Sequence, residues 1–249
     1  MPDAEIKKLV KSTEMKKIKY PLSWSKNNFS IKIFCSIPNI ATGILLKAGD
    51  NLSVIDPGDG ILRDLTNELS VEQIKSISNV FITHGHHDHV GGLWSLFTYL
   101  RVMNKKSYLK IYYPKGCSEI EHIYKAFLKV YQSSLSYKII LTCIDKQKTI
   151  RAKNMSVKPF SVIHKEVING KKRQVPSLGY NFFFDKMNIC YGGDTAYCEA
   201  LVKNAYNADL AIIEAGHGED ESDDMHMSIK EATSIGKTAI EYFLVHVPE

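Results

Sequence analysis

The sequence predicts an α/β protein, and three observations carry that prediction. Short runs rich in β-branched and aromatic residues alternate with segments of helical periodicity along the chain. No internal repeat, low-complexity tract or linker interrupts them. At 249 residues, 44% of them hydrophobic, the chain can bury a sizeable core, and its length permits one domain or two small ones.

Taken in order, Phe29–Cys35, Thr42–Leu46 and Leu52–Ile55 read as strands. Gly58-Asp59-Gly60 then breaks the chain into a helix over Ile61–Leu69. Val80–Ile82 is a short buried strand. Leu93–Met103 and Ile120–Tyr131 read as helices, the second with Ile120, Ile123, Tyr124, Phe127, Leu128 and Tyr131 on one face, as a core stripe or a lid. Strands resume at Leu109–Tyr113, Tyr137–Cys143, Met155–Ile163, Tyr180–Phe184 and Asn188–Tyr191. A helix over Ala196–Lys203, a strand Leu210–Ile213, a helix Ile229–Ala239 and a strand Tyr242–Val247 complete the series. Asn169-Gly170 is a type I′ hairpin signal.

The run Thr83-His84-Gly85-His86-His87-Asp88-His89 follows directly on the Val80–Ile82 strand. An extended backbone sends alternate side chains to one face, so His84 and His86 can share one ion, while the following turn carries Asp88 and His89 toward a second. Imidazole nitrogen and carboxylate oxygen suit Zn²⁺, Mn²⁺ or Fe²⁺, and the near absence of thiols close to the run argues against a closed structural cysteine site.

The net charge of +5 hints at an anionic substrate without establishing one, because Lys supplies most of it. Cys35, Cys117, Cys143, Cys190 and Cys198 form neither a CxxC pair nor an even framework, as expected of a reduced cytoplasmic protein. There is no apolar run of transmembrane length, and the Lys-rich start Ile6–Lys11 lacks the hydrophobic core of a signal peptide. These features predict a soluble protein with no membrane partner. A homodimer stays open.

The H-x-H-x-D-H run, continued by Val90-Gly91-Gly92, resembles the signature of the metallo-β-lactamase superfamily. The resemblance extends over nearly the whole chain: Thr42–Leu46 and Leu52–Gly60 are similar to the family's opening strands and D-P-G turn. His164, Gly192-Gly193-Asp194-Thr195 and Leu244-Val245-His246 follow in the family's order. It implies a four-layer αββα sandwich in a single hydrolase domain over residues 1–249, with two divalent ions, Zn²⁺ or else Mn²⁺ or Fe²⁺. His84, His86 and His164 would hold one ion, Asp88, His89 and His246 the other, and Asp194 would bridge. Ions about 3.5–4 Å apart lower the pKa of a shared water and give a bridging hydroxide nucleophile at neutral pH. His87 occupies a variable position and is expected to point away, and His122 to be solvated. By resemblance, Asp56 and Asp59 would orient ligating imidazoles.

The nearest branch is the RNase Z and phosphodiesterase one, which Ser177–Tyr180, Glu214-Ala215 and His226-Met227-Ser228 resemble. That branch implies Asp88, His226 and Glu214 as catalytic side chains, with His226 protonating the leaving group. Thioesterase, lactonase and lactamase branches usually follow the third His with G-H-[ST], whereas His164 precedes Lys165-Glu166-Val167-Ile168-Asn169-Gly170. The hairpin would set Lys171, Lys172 and Arg173 beside His164 as phosphate contacts. RNase Z carries a Gly/Pro-rich arm between its third His and bridging Asp that the stretch from His164 to Asp194 is too short to contain. The expected substrate is therefore a small phosphodiester, a nucleotide or a short nucleic acid. Tyr197, where lactone-opening members carry a polarising Tyr, keeps a lactonase or another ester or thioester hydrolase as the alternative. A flavodiiron module is disfavoured by His86, where that family has Glu. A one-iron persulfide dioxygenase would lack the ion at Asp88 and His89, and a non-catalytic scaffold would have lost ligands.

Overall fold

Strands buried on both faces are stable only where other layers cover both sides. The sequence meets that need twice. In the computed structural model, which describes residues 19–35, 42–145 and 148–248, Leu22–Lys26 (β1), Phe29–Cys35 (β2), Thr42–Ala48 (β3) and Asn51–Ile55 (β4) pair antiparallel in succession. The helices Ile61–Glu68 (α1) and Val71–Ser76 (α2) lead to Asn79–Phe81 (β5), which is parallel to β4. His87–Val90 (α3) and Leu93–Val102 (α4) precede Leu109–Pro114 (β6), and Ser118–Tyr131 (α5) precedes Ile139–Ile144 (β7), completing a seven-stranded sheet in the order β1 to β7. The Lys-rich start Ile6–Lys11 lies outside the described residues.

The second sheet takes Ile150–Ala152 (β8) and Met155–Ser161 (β9), then, beyond the separate hairpin Lys165–Ile168 (β10) and Lys171–Gln174 (β11), Leu178–Phe184 (β12) and Met187–Tyr191 (β13). Glu199–Ala205 (α6), Leu210–Glu214 (β14), Ile229–Gly236 (α7) and Glu241–Val245 (β15) follow, and the sheet order is β15-β14-β13-β12-β9-β8. Phe29, Ile31, Leu46, Phe81, Phe182, Ile189 and Ile212 pack between the two sheets. Val54, Leu65, Leu93, Phe97 and Phe127 seal the first sheet beneath its helices, and Ala211, Ile213, Leu201 and Ile235 seal the second. This is the αββα sandwich. The stripe on α5 is core packing, with Phe127 edge-on to Trp94 and Phe97.

Local differences from the sequence expectation have physical reasons. The α6 helix begins at Glu199, later than Ala196, because Thr195 Oγ1 donates to the Ile163 carbonyl and the Ala196 N–H to the same oxygen, holding the chain extended. The α7 helix stops at Gly236, because Thr238 donates both its N–H and its Oγ1 to the Ile235 carbonyl and the Ala239 N–H turns to the Gly236 carbonyl, closing the last turn in place of the helical ladder. β1, α2 and β8 went unread: β1 and β8 are short edge strands, and α2 spans six residues, with a Ser70–Gln73 capping box as its local signal. Among the described residues no helix is long and apolar enough to cross a membrane.

Lys105 is fully buried in the loop before β6, and its ammonium donates to the carbonyls of Lys75 and Ile77 and to Ser107 Oγ. Those carbonyls close α2 onto β5. Lys105→Met, which keeps the stem and removes the donors, should lower unfolding stability by about 2–5 kcal/mol, read as a reduced urea midpoint at unchanged slope.

Candidate metal centre

In both sheets the parallel strands end at the same rim of the sandwich, the position where α/β sheets place their ligands. β4 delivers Asp56 there, β5 the His84–His89 run, β13 the 192–194 turn, β14 Glu214 and β15 His246. His164 follows β9. Gly58 lets two of these loops touch: a Cβ there would lie 1.9 Å from the Asp88 carbonyl oxygen. Gly193, at φ +63°, turns Asp194 inward against Thr83 and has room for no side chain, its Cβ meeting Thr83 Cβ at 2.7 Å. Asp56 and His246 hold φ of 44° and 59°, a left-handed backbone unusual for such residues and tolerated where a site needs it.

The structure brings the sequence-named histidines and carboxylates together. The ligand atoms of His84, His86 and His164 lie within 4.8 Å of one another, as do those of His84, His89 and Asp194, and those of Asp194, His226 and His246. His86 Nδ1 is 3.2 Å from His164 Nε2. His89 Nε2 stands 3.4 Å from both Asp88 Oδ2 and Asp194 Oδ1, and His246 Nε2 is 4.0 Å from a carboxylate oxygen of each. Asp194 belongs to two of the three groups. The buried Nε2 atoms of His84 and His89 have no hydrogen-bond partner, a cost that a bound cation removes. A nitrogen and oxygen donor set of this kind fits divalent Zn, Mn or Fe.

Other contacts fix which nitrogen each imidazole presents. Asp56 Oδ2 is 2.9 Å from His89 Nδ1, and the same carboxylate accepts from Thr83 N–H, Thr83 Oγ1 and the Tyr191 hydroxyl. His164 Nδ1 donates to the Met225 carbonyl at 2.9 Å, and His84 Nδ1 is 3.1 Å from Thr83 Oγ1. Asp59 has another partner: its Oδ2 is 2.7 Å from Nε2 of His87, which is highly exposed. His122 is exposed and bonded to the Ser118 carbonyl.

The electrostatics separate the protonation states. Burial, reinforced by the neighbouring imidazoles, pushes His84 well below the usual histidine range. Burial also opposes charge on His89, yet Asp194 and Asp56 together hold it well above that range. Asp194 is held well below the carboxylate range because His89 and His246 outweigh its burial.

Glu214 is buried and accepts from the Thr195, Met227 and Gly216 N–H groups. Its Oε1 is 3.4 Å from His226 Nδ1. The His226 ring stacks on His246 at 5.2 Å between centroids and lies 5.3 Å from His164. Burial opposes the His226 charge, but Glu214 outweighs it and holds the imidazole above its ordinary value.

The Asn169-Gly170 turn has positive φ at both residues, as type I′ requires, and joins β10 to β11 in the register Glu166↔Arg173 and Ile168↔Lys171. Cross-strand partners share a face, so Arg173 and Lys171 stand on the face of Glu166, whose Oε2 is 3.5 Å from His86 Nε2. Lys172 is on the opposite face and is ion-paired with Asp224, as is Lys165. Of the three hairpin cations expected to meet substrate, Lys172 is thus committed to a loop of this chain. Tyr197 is 46% exposed just after Asp194. Sequence reading missed Glu166 and His217, whose Nε2 is 3.1 Å from Asp223 Oδ1. A carboxylate two residues after the candidate ligand His164 was the available signal for Glu166. For His217, which meets Asp223 only through a folded loop, there was none.

A sequence profile described as a beta-lactamase superfamily domain matches residues 53–245. Ribonuclease Z of Pyrococcus horikoshii is 26% identical over 253 aligned positions, which cover 81% of this chain and 76% of that protein. Among solved structures, the metallo-β-lactamase fold protein YhfI from Bacillus subtilis superposes with a TM-score of 0.68 at 22% identity, covering 90% of this chain and 88% of that one. The short form of human tRNase Z gives a TM-score of 0.66 at 22% identity, covering 83% and 86%.

Proposed function

The chain belongs to the beta-lactamase superfamily, in its RNase Z-like branch, and is a metal-dependent hydrolase; on that premise we propose that it cleaves phosphodiester bonds in a small phosphodiester, nucleotide or short oligonucleotide. In this reading His84, His86 and His164 hold one divalent ion and Asp88, His89 and His246 a second, with Asp194 shared and Zn²⁺ the expected metal. When bound, such ions supply a water of near-neutral pKa and positive charge for the phosphoryl oxygens.

The observation that carries the reading is the Glu214–His226 pair, set between His164 and His246. A departing alkoxide needs a proton, and a histidine whose affinity for a proton is raised by a buried carboxylate is suited to give one. Asp88, its Oδ2 turned toward His89 and His246, is placed to accept the proton from the attacking water. Lys171 and Arg173 flank the His86 side of the centre and would bind a second phosphate or the substrate's anionic backbone. The chain between His164 and Asp194 is fully used by one tight hairpin and two sheet strands, which favours a compact substrate over precursor tRNA. Lactone opening is the second reading, and an exposed Tyr197 three residues after Asp194 is what favours it.

The test is a panel of phosphodiesters, lactones and thioesters on protein reconstituted separately with Zn²⁺, Mn²⁺ and Fe²⁺. Phosphodiesters should turn over fastest. An inert bis-p-nitrophenyl phosphate beside rapid opening of homoserine lactones would overturn the reading. Replacing Lys171 and Arg173 by Ala should raise KM for anionic phosphodiesters about three- to tenfold with little change in kcat, because each rim cation contributes about 0.5 kcal/mol to ground and transition state alike. Lys172→Ala should move KM less.

A further inference from the structure

We propose that Asp223, with His217 behind it, is a positioning residue that presets both the His164 imidazole and the His226 imidazole. The proposal rests on the hydrolase reading above for its catalytic part only. Asp223 Oδ1 accepts the Met225 N–H at 2.7 Å and the His226 N–H at 2.9 Å, and the Asp223 N–H donates back to the His226 carbonyl at 3.3 Å. An Asp that bonds the backbone two and three residues ahead imposes a tight turn on the chain. This turn has two outputs. It aims the Met225 carbonyl at His164 Nδ1, leaving His164 Nε2 to face His86, and it lays the His226 ring between His164 and His246.

The turn is held from three sides. At its far end Met227 is buried and donates its N–H to Glu214, so the four-residue reach from Asp223 to Met227 is pinned by a carboxylate at each end. Asp224 is gripped by Lys165 and Lys172 of the hairpin. His217 closes the third side, with its Nε2 on Asp223 Oδ1, its N–H donating to the Met227 carbonyl and its ring 5.9 Å from that of His226. Asp223 therefore controls a metal ligand through one carbonyl and the proton donor through one N–H, without touching substrate or ion itself. Loss of such an outer partner of a ligating histidine typically weakens metal binding 10- to 100-fold.

The experiment compares Asp223→Ala, Asp223→Asn and His217→Ala in the full chain. Zn²⁺ affinity is read by chelator competition on metal-free protein, and kcat and KM are read on two phosphodiesters, one with an alkoxide and one with a p-nitrophenolate leaving group. Asp223→Ala should lower Zn²⁺ affinity about 10- to 100-fold. It should also cut kcat more on the alkoxide substrate than on the nitrophenyl one, at nearly constant KM. Asp223→Asn retains an acceptor oxygen for both N–H groups and should recover most of both losses, and His217→Ala should reproduce the pattern more weakly. Unchanged affinity in folded Asp223→Ala, a leaving-group ratio that does not move, or an Asn variant as damaged as the Ala variant would overturn the proposal. Zinc affinity is read without any substrate. A wild type inactive on phosphodiesters would sink the functional reading and leave the positioning role to stand or fall on the affinity measurements.

Discussion

Asp194→Ala should cost the protein both of its proposed ions and reduce hydrolysis at least about a thousandfold. Asp194 lies within ligand reach of His84 and His89 on one side and of His246 on the other, so in the two-ion assignment its removal takes a ligand from each ion. It also removes one of the three carboxylates around the buried His89, leaving Asp56 at 2.9 Å and Asp88 at 3.4 Å to balance that imidazole. Ions in such sites supply several kcal/mol of transition-state stabilisation, and about 4 kcal/mol corresponds to the thousandfold loss. Elemental analysis checks the structural half: two ions per wild-type chain, one or none in Asp194→Ala. A wild type that consistently binds a single ion when metal is in excess would refute the two-ion assignment. His84→Ala should instead leave the other ion's ligands in place and lose about one equivalent.

His226→Ala should leave metal content intact and still cut kcat about 10²–10⁴-fold on substrates with poor leaving groups. On p-nitrophenyl esters, whose leaving group departs as a stable anion, the loss should be much smaller. The contrast tests proton donation itself, because a defect in folding or metal loading would depress both substrates alike. Equal losses on both, or a missing ion, would take His226 out of the acid role. That second outcome has a structural basis, since the His226 ring lies close enough to Asp194 and His246 to compete as a ligand. Glu214→Gln should give part of the same signature. It keeps one oxygen, which can accept from Thr195 and Met227 but leaves the Gly216 N–H without its acceptor, and it withdraws the negative charge that holds His226 above its ordinary value.

Much of the fold was legible because its signals are local. Phe29–Cys35 and Leu210–Ile213 are dense in β-branched and aromatic residues, Asn169-Gly170 is a two-residue turn with its own chemistry, and α5 carries a stripe at helical spacing. The edge strands β1 and β8 were not legible, since Leu22–Lys26 is short and mostly exposed and Ile150–Ala152 spans only three residues, so composition barely distinguishes them from loop. Lys105 looked like one more surface cation in a Lys-rich chain, and only the fold, which brings the loop before β6 onto the Lys75 and Ile77 carbonyls, makes it a buried donor.

The same division runs through the site. By itself the sequence determined the His84–Asp88–His89 run, because those ligands lie within six residues and their spacing on a strand end is a local property of the backbone. It also determined, through the D-P-G turn and the paired glycines before Asp194, where the loops of the site could pack closely on one another. The tertiary structure alone decided that Asp56 meets His89 while Asp59 meets His87, that Lys172 belongs to Asp224 while Lys171 and Arg173 share a face with Glu166, and that Asp223 and His217 stand behind His226. These are contacts between loops from different strand ends, and nothing in periodicity or spacing encodes them. They exist because two sheets, each buried on both faces, end their parallel strands at one rim and leave the connecting loops nowhere to go except against each other.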